Sequence, residues 1–239
     1  MLGLKRNKGW SGFIFGKHPS FKDFLRLGQE TPLTTGLARW VEGGYRHLSR
    51  KDLKGASVSW RFWCRGGKDL LLCGLLKDSA DALGRPFPLL LILSWKLTGW
   101  EKSWEKLVSV LEETWRELER LAARPWASPF EFETGLDRLP EPRTILENGQ
   151  TEGKTAPFFR VRNGCFWSPL GEEVSSTALI LRLKRQFQAP PLALFMGGAI
   201  GATAQIVVFT SPLRREDFSF LWQKESRHEF YGTGTKTHF

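Results

Sequence analysis

The stretch that most constrains the fold is residues 87–95, FPLLLILSW, the most apolar run in the chain. A membrane-spanning helix needs about 20 apolar residues, so this run is too short to cross a bilayer. A strand that is apolar on both faces belongs in the interior of a sheet that helices cover. The run therefore predicts a buried central strand.

Other segments with strand and helix patterns alternate along the chain around this run. Predicted strands cover residues 12–16, 57–64, 69–76, 158–166, 191–196 and 204–210, and predicted helices cover residues 32–47, 98–123, 175–187 and 216–223. Thr98 and Glu101 have the spacing of a capping box at the start of the second helix. This alternation predicts an α/β fold, a single three-layer α/β/α domain with a mixed, centrally buried sheet.

The predicted domain covers residues 12–223, and the support for it is weaker in the C-terminal part, residues 125–223. A basic tail is expected over residues 1–11 and a flexible tail over 224–239. Residues 125–157 are rich in proline and glycine. Unstructured loops of this length are uncommon in compact domains, so a short hidden element is expected within them.

The three cysteines favour a reducing compartment. If Gly66 and Gly67 form a two-residue hairpin loop, Cys64 and Cys73 lie about 13 Å apart at about 3.3 Å per residue. A disulfide requires Cα atoms within about 7 Å of each other. The first eight residues also lack the apolar core of an export signal. We therefore expect a soluble cytoplasmic protein with reduced cysteines and no membrane insertion.

Positive charge is concentrated near the start of the chain, whose formal net charge is +10. Residues 1–60 hold eleven Lys/Arg and four acids. A basic region of this kind can bind nucleic acid, and residues 60–65, WRFWCR, interleave aromatic and arginine side chains. Core packing explains Trp60 and Phe62 without any ligand, so nucleic-acid binding is kept as an alternative and not as the main hypothesis.

Patterns typical of catalysis are missing from the sequence. The four histidines have no metal-ligand spacing, and no GxSxG nucleophile motif occurs. Residues 149–155, GQTEGKT, resemble a P-loop with one residue too few between the glycines, and residues 12–17 fail in a similar way. We expect no catalytic residue, no metal and no cofactor. An enzyme that binds a phosphorylated ligand remains an alternative, suggested by Lys17, Arg85 and the glycine-rich turns.

Two longer motifs are more specific. Residues 12–26 read GFIFGKHPSFKDFLR, and residues 74–89 read GLLKDSADALGRPFPL. Together they resemble the TagF (ImpM) family of type VI secretion-associated proteins, which has a G-x-F-G-K-x-P-x-x-G-D-F pattern followed by G-x-x-x-x-S-x-D-x-x-G-R-x-F-P-L. Lys22 replaces the family's second glycine, and Asp78 replaces a common proline.

The resemblance implies a cytoplasmic, non-enzymatic accessory protein of the type VI secretion system. Proteins of this family repress secretion after translation by binding a forkhead-associated scaffold or another secretion component. The matching motif positions are Gly16, Lys17, Asp23, Ser79, Asp81, Gly84 and Arg85. Two interpretations of them stay open: a polar binding site at the strand ends, or a structural ion-pair cluster in which Arg85 contacts Asp81 or Asp23.

Overall fold

A computed structural model of the chain describes residues 9–49, 57–140, 154, 156–171, 173–187 and 189–222. Nine strands form one sheet in the order β2-β1-β5-β4-β3-β8-β9-β7-β6. Their bounds are β1 (Trp10–Gly16), β2 (Leu25–Gly28), β3 (Val58–Gly67), β4 (Leu70–Lys77), β5 (Leu89–Lys96), β6 (Phe159–Arg162), β7 (Cys165–Leu170), β8 (Ala193–Ala199) and β9 (Ala204–Phe209). The apolar run at residues 87–95 becomes β5, which pairs with β1 on one side and β4 on the other.

The α/β class is confirmed, but the prediction of a mixed sheet is wrong. Each pair of neighbouring strands in the sheet is antiparallel. Strands β3 and β4, β6 and β7, and β8 and β9 are each joined by only a few residues. Connections that short allow antiparallel pairing alone, because a parallel pair needs a crossover of a dozen or more residues.

Five α-helices accompany the sheet in the described part of the chain. They are α1 (Pro32–Arg46), α2 (Leu107–Ala123), α3 (Pro129–Asp137), α4 (Ser176–Gln186) and α5 (Arg215–Trp222). The Thr31 hydroxyl accepts a hydrogen bond from the Thr34 amide, and Pro32 occupies the first turn, so α1 begins where its sequence signals predict. Helix α3 is the short element expected within residues 125–157.

The predicted start of the helix over residues 98–123 is wrong. A 3₁₀ turn, Trp100–Lys106, precedes α2, and Gly99 caps it with a left-handed backbone and no side-chain hydrogen bond. The Glu101 carboxylate instead accepts a hydrogen bond from the Asp69 amide at 3.3 Å. Capping-box spacing thus occurs here without a capping box, because Glu101 is used in a tertiary contact.

Two apolar clusters hold the sheet and helices together. Alternate residues of one strand join different clusters, as in β1, where Ile14 belongs to one and Phe13 to the other. Since successive strand residues point to opposite faces, the clusters lie on opposite faces of the sheet. Helices α2, α3 and α4 contribute to the first cluster, and α1 and α5 contribute to the second. We interpret the clusters as the packing of helices against both faces.

The register of the β3–β4 hairpin differs from the prediction. The turn lies at Lys68 and Asp69, and β3 has an irregularity between Arg65 and Gly67. Cys73 therefore pairs with Trp63, the neighbour of Cys64 on β3, so the predicted separation of about 13 Å between the two cysteines is wrong. Cys64 and Cys73 pack in the two opposite clusters. The three cysteines are free, as expected, but the two on the hairpin are separated by the sheet itself.

The sheet brings several loops to one end, which we call the motif end. Gly16 at the end of β1 and Lys77 at the end of β4 both pair with Leu89 at the start of β5. The loops at residues 17–24 and 78–88 therefore leave the sheet side by side. The β8–β9 turn lies at the same end, since Ala199 pairs with Val58 at the start of β3.

Candidate functional site

The centre of the motif end is the buried carboxylate of Asp81, which is 3% exposed. Its Oδ1 accepts hydrogen bonds from the backbone amides of Leu83 at 3.0 Å and Arg85 at 2.9 Å. Its Oδ2 lies 2.7 Å from Nε of Arg85 and 3.0 Å from Nζ of Lys17. The structure thus brings together Lys17, Asp81 and Arg85, which are on two separate motifs of the sequence.

Asp81 is held in its ionised form. Burial raises the pKa of this carboxyl, but the hydrogen bonds from the Arg85 backbone, the Lys17 ammonium, the Arg85 side chain and the Leu83 backbone together outweigh it. The net effect holds the pKa of Asp81 well below its ordinary value of 3.8. At neutral pH the site is therefore a permanent anion between two cations.

Hydrogen bonds also join the two loops to each other. The Ala82 amide donates to the Phe21 carbonyl at 2.8 Å, and Nη2 of Arg85 donates to the Lys22 carbonyl at 2.6 Å. Nζ of Lys17 reaches the Arg85 carbonyl at 3.2 Å. Lys22, which replaces the family's glycine, takes part through its backbone carbonyl, so this contact does not require a glycine.

The two motif glycines are required for different reasons. Gly16 has a φ of +115°, and a Cβ placed on it would lie 1.9 Å from the Pro88 carbonyl oxygen, so a side chain cannot fit there. Gly84 has a φ of +75° with open space around it. Its backbone conformation, rather than crowding, favours glycine in the turn between Leu83 and Arg85.

Asp23 and Ser79 do not join the Asp81 cluster through their side chains. Asp23 is exposed, and Arg85 contacts Asp81 in its place. Ser79 contributes its backbone carbonyl, which accepts a hydrogen bond from the Phe87 amide at 3.0 Å. Of the two carboxylates that the sequence offered to Arg85, the structure selects Asp81.

His18 lies beside the cluster, and sequence reasoning treated it only as one of four scattered histidines. Its side chain is buried, with the ring 5.0 Å from the Phe132 ring, and its Nδ1 accepts a hydrogen bond from the Ser20 amide at 3.1 Å. Burial lowers its pKa below the ordinary value of 6.5, although a backbone contact at Ala122 opposes this. The neutral ring anchors the loop at residues 17–24 to α3.

A second polar cluster involves Arg61 on β3 and was not predicted from the sequence. The Arg61 guanidinium makes two hydrogen bonds to Glu119, at 2.7 and 2.8 Å, and also bonds Glu112, at 3.0 Å. These groups line part of a cavity of about 370 Å³. Trp60 and Phe62 are buried on the other face, as alternation predicted. Since two carboxylates neutralise Arg61, this strand does not form the basic aromatic surface that nucleic-acid binding requires.

A third cluster lies near the C-terminal helix. Arg162 on β6 forms an ion pair with Asp217 of α5, with Nε 2.8 Å from Oδ1, and Asp217 is also bonded to the Arg214 amide. Nη1 of Arg162 donates to the Ser211 hydroxyl at 2.9 Å. These residues are too far apart in sequence to form a recognisable pattern. The cluster fixes the start of α5 to the sheet edge.

The P-loop-like segments have no phosphate-binding geometry in the described residues. Of residues 149–155, only Lys154 is described, and it pairs with Glu173. Gly12 and Gly16 belong to β1, and a loop and strand β2 follow them, with no helix N-terminus. The described part of the chain holds no group of three or more potential metal ligands.

The loops at residues 17–24 and 78–88 of the motif end lie within a region that matches a known protein family. A family model described as TagF N-terminal domain, Type VI secretion system-associated, matches residues 13–141, more than half of the chain. The chain belongs to the TagF family. The matched region contains the Asp81 cluster and both loops of the motif end. It confirms the family resemblance stated from the two sequence motifs.

A solved structure is similar over nearly the whole chain. The crystal structure of PA0076 from Pseudomonas aeruginosa PAO1, at 2.05 Å resolution, matches this TagF-family chain with a TM-score of 0.58 and 20% identity. The match covers 90% of this chain and 96% of PA0076. At this identity the similarity establishes a shared fold. No curated protein matches the chain significantly.

None of the helices in the described residues combines the length and the apolar character that crossing a bilayer requires.

Proposed function

We propose that this TagF-family chain is a cytoplasmic, non-enzymatic regulator that represses type VI secretion after translation. It would act by binding a forkhead-associated scaffold or another component of the secretion machinery. The family match over residues 13–141 is the observation that carries this proposal. The single domain over residues 12–223 and the two tails stay part of the same proposal.

The chemistry of the motif end supports binding over turnover. The Asp81 carboxylate accepts four hydrogen bonds from Leu83, Arg85 and Lys17. A carboxylate has about four lone-pair positions, so none is left to act as a general base. Its pKa is also lowered, whereas a catalytic acid or base near neutral pH needs the opposite change. These residues therefore suit a rigid pair of loops that present a surface to a partner.

The direct test uses purified proteins. The chain and the forkhead-associated protein from the same type VI gene cluster are mixed, and the complex is measured by isothermal titration calorimetry after nuclease treatment. A complex of defined stoichiometry, together with lower type VI-dependent killing when the chain is overproduced, is the expected result. Absence of binding with unchanged killing would overturn the repressor proposal.

The same preparation separates this function from the nucleic-acid alternative. Labelled DNA and RNA are titrated with the chain at several salt concentrations. Nucleic-acid binding falls steeply as salt rises, because phosphate contacts release counterions. We expect only weak binding that salt suppresses, since Arg61 is already paired with Glu112 and Glu119. Tight binding that survives physiological salt would favour the alternative.

A further inference from the structure

The large apolar side chains that are exposed among the described residues lie toward one end of the sheet. Among the described residues, four large hydrophobic side chains are exposed: Phe24 at 43%, Leu83 at 61%, Phe130 at 75% and Ile200 at 71%. Single exposed hydrophobic residues are common on protein surfaces, so their number is unremarkable. Their positions in the fold are what distinguish them.

Two of the four lie on the loops of the motif end. Phe24 is the last residue before β2, and Leu83 lies in the turn whose amide is bonded to Asp81. The bond from the Ala82 amide to the Phe21 carbonyl, at 2.8 Å, holds these loops together. The Phe24 ring rests edge-on against Phe87 at 5.0 Å, which leaves part of its surface in solvent.

The other two lie at the same end of the sheet. Ile200 is in the β8–β9 turn, and its amide donates to the Ser57 carbonyl at 2.7 Å, immediately before β3. Phe130 is in the first turn of α3, two residues before Phe132, whose ring contacts His18 at 5.0 Å. Strand β8 is four strand spacings away from β1 in the sheet. At about 4.8 Å per spacing, the distance across this end of the sheet from the β1 loop to the β8–β9 turn is about 20 Å.

The two motif loops carry equal numbers of charges of each sign: three cations, Lys17, Lys22 and Arg85, and three anions, Asp23, Asp78 and Asp81. Lys17 and Arg85 both contact the single carboxylate of Asp81. Asp78 is half-buried and Asp81 is buried, so the exposed charged residues of the two loops are Lys22, Asp23 and Arg85, two cations and one anion. Arg85 is 58% exposed, and within the described residues its Nη1 makes no hydrogen bond. That nitrogen and the Lys22 ammonium are available to a carboxylate.

We propose that the motif end is a docking surface for a protein segment that carries acidic side chains beside apolar ones. Leu83 and Phe24 would receive the apolar side chains, and Arg85 and Lys22 would receive the carboxylates. Asp81 then has a presenting role, because its bonds to the Leu83 and Arg85 amides fix the turn that exposes both side chains. The proposal deepens the binding function proposed above by naming the surface and the chemistry of the partner.

The test uses short synthetic peptides as probes, so it does not depend on the identity of the natural partner. One fluorescein-labelled peptide contains glutamate and leucine, a second replaces each glutamate with glutamine, and a third replaces each leucine with serine. Binding to the full chain is measured by fluorescence anisotropy at physiological salt. We expect the first peptide to bind about tenfold more tightly than either of the others, as for loss of a central interface contact.

Matched variants locate the binding. Lys22→Glu is compared with Lys96→Glu, an exposed lysine at the far end of β5, about 23 Å from Leu89 at about 3.3 Å per residue. Leu83→Ser is compared with Leu83→Met, which keeps the apolar surface. We expect Lys22→Glu and Leu83→Ser to weaken binding about tenfold, while both controls bind as the unmodified chain does. Thermal melts establish that each variant is folded.

Each outcome bears on the proposal. Equal binding of the three peptides, or equal effects of Lys22→Glu and Lys96→Glu, would overturn the docking surface. If the forkhead-associated protein binds and Leu83→Ser and Lys22→Glu leave its affinity unchanged, the regulator function stands and the surface is wrong. If the acidic apolar peptide binds at the motif end and the forkhead-associated protein does not, the surface stands and that choice of partner is wrong.

Discussion

At the scale of single residues, Asp81 organises the motif end. It is a buried anion that accepts two backbone amides from its own turn and two cationic side chains, one local and one from the β1 loop. The local bonds shape the turn, and the Lys17 contact joins it to the other motif. Removing one partner of such a group is costly, because the remaining buried charges stay unpaired.

Asp81→Asn tests this role. The amide keeps the size of the side chain but loses the charge that Lys17 and Arg85 neutralise, so we expect a lower Tm near neutral pH. Asp23→Asn, on the exposed aspartate of the adjoining loop, should leave the Tm unchanged. Circular dichroism melts measure both. An Asp81→Asn protein as stable as the Asp23→Asn protein would contradict the structural role.

The lowered pKa of Asp81 also predicts how stability depends on pH. The pKa of Asp81 is lowered in the folded chain from an ordinary value of 3.8, so the unfolded chain takes up this proton at higher pH. The stabilisation is full above that value and is lost as the pH falls through the lower folded pKa. The Tm difference between the unmodified chain and Asp81→Asn should therefore shrink in acid. A constant difference would indicate that charge is not what Asp81 contributes.

At the scale of elements, the packing of α1 against α5 shows why one glycine of a pair matters. A Cβ on Gly44 would lie 2.3 Å from Cβ of Phe218, whereas a Cβ on Gly43 meets nothing closer than Nε of Arg215 at 4.0 Å. In the sequence both glycines simply weaken a predicted helix. In the structure Gly44 allows α1 and α5 to approach closely.

The two glycines give a matched pair of variants. Gly44→Ala should lower the free energy of unfolding by about 1–3 kcal/mol, because the added methyl group overpacks the contact with Phe218. Gly43→Ala should raise it by up to about 1 kcal/mol, since alanine favours the helix and meets no neighbour. Urea denaturation measures both values. Equal effects of the two variants would contradict the close helix approach.

At the scale of the whole molecule, the sheet separates two cores that contain the three cysteines. Cys73 is in one core, and Cys64 and Cys165 are in the other. Burial raises the pKa of the Cys73 thiol to about 12 and also raises that of Cys64 well above its ordinary range. A thiol reacts as its thiolate, so the native chain should be nearly inert to thiol reagents.

Thiol labelling therefore tests whether the chain unfolds as one unit. We expect negligible reaction with Ellman's reagent in buffer and reaction of all three cysteines in denaturant. In intermediate urea, Cys64 and Cys73 should react at the same rate, as measured by mass spectrometry of labelled peptides, because neither core can open without the sheet. Faster labelling of one core would show separate unfolding units and contradict the single domain proposed over residues 12–223.

The sequence predicted the positions of helices and strands better than it predicted the register and the contacts between them. Helices α1, α4 and α5 and strand β5 lie within a few residues of the predicted positions, since their periodicity reflects local burial. Strand β2 was missed because its four residues, Leu25–Gly28, are too few for a clear alternation. The capping box at Thr98 and the hairpin register failed because nearby tertiary contacts and an irregularity in β3 override local spacing.

For the candidate site, the two motifs supplied the residues and the tertiary structure supplied their arrangement. Gly16, Lys17, Asp81, Gly84 and Arg85 were found from the sequence, and the structure groups them while leaving Asp23 outside. Arg61 with Glu112 and Glu119, and Arg162 with Asp217, had no local signal. Their partners are far apart in sequence, and such pairs form only once strands and helices have packed.

The sequence by itself determined the family, the α/β class and the apolar patterns that become strands and helices, because motifs and periodicity are local properties. Only the tertiary structure decided the antiparallel order of the strands, the contact of Lys17 with Asp81 between two separate loops, and the grouping of Phe24, Leu83, Phe130 and Ile200 at the motif end. These features depend on register and on which chain ends meet in space. Long-range packing sets both, and no short stretch of residues encodes it.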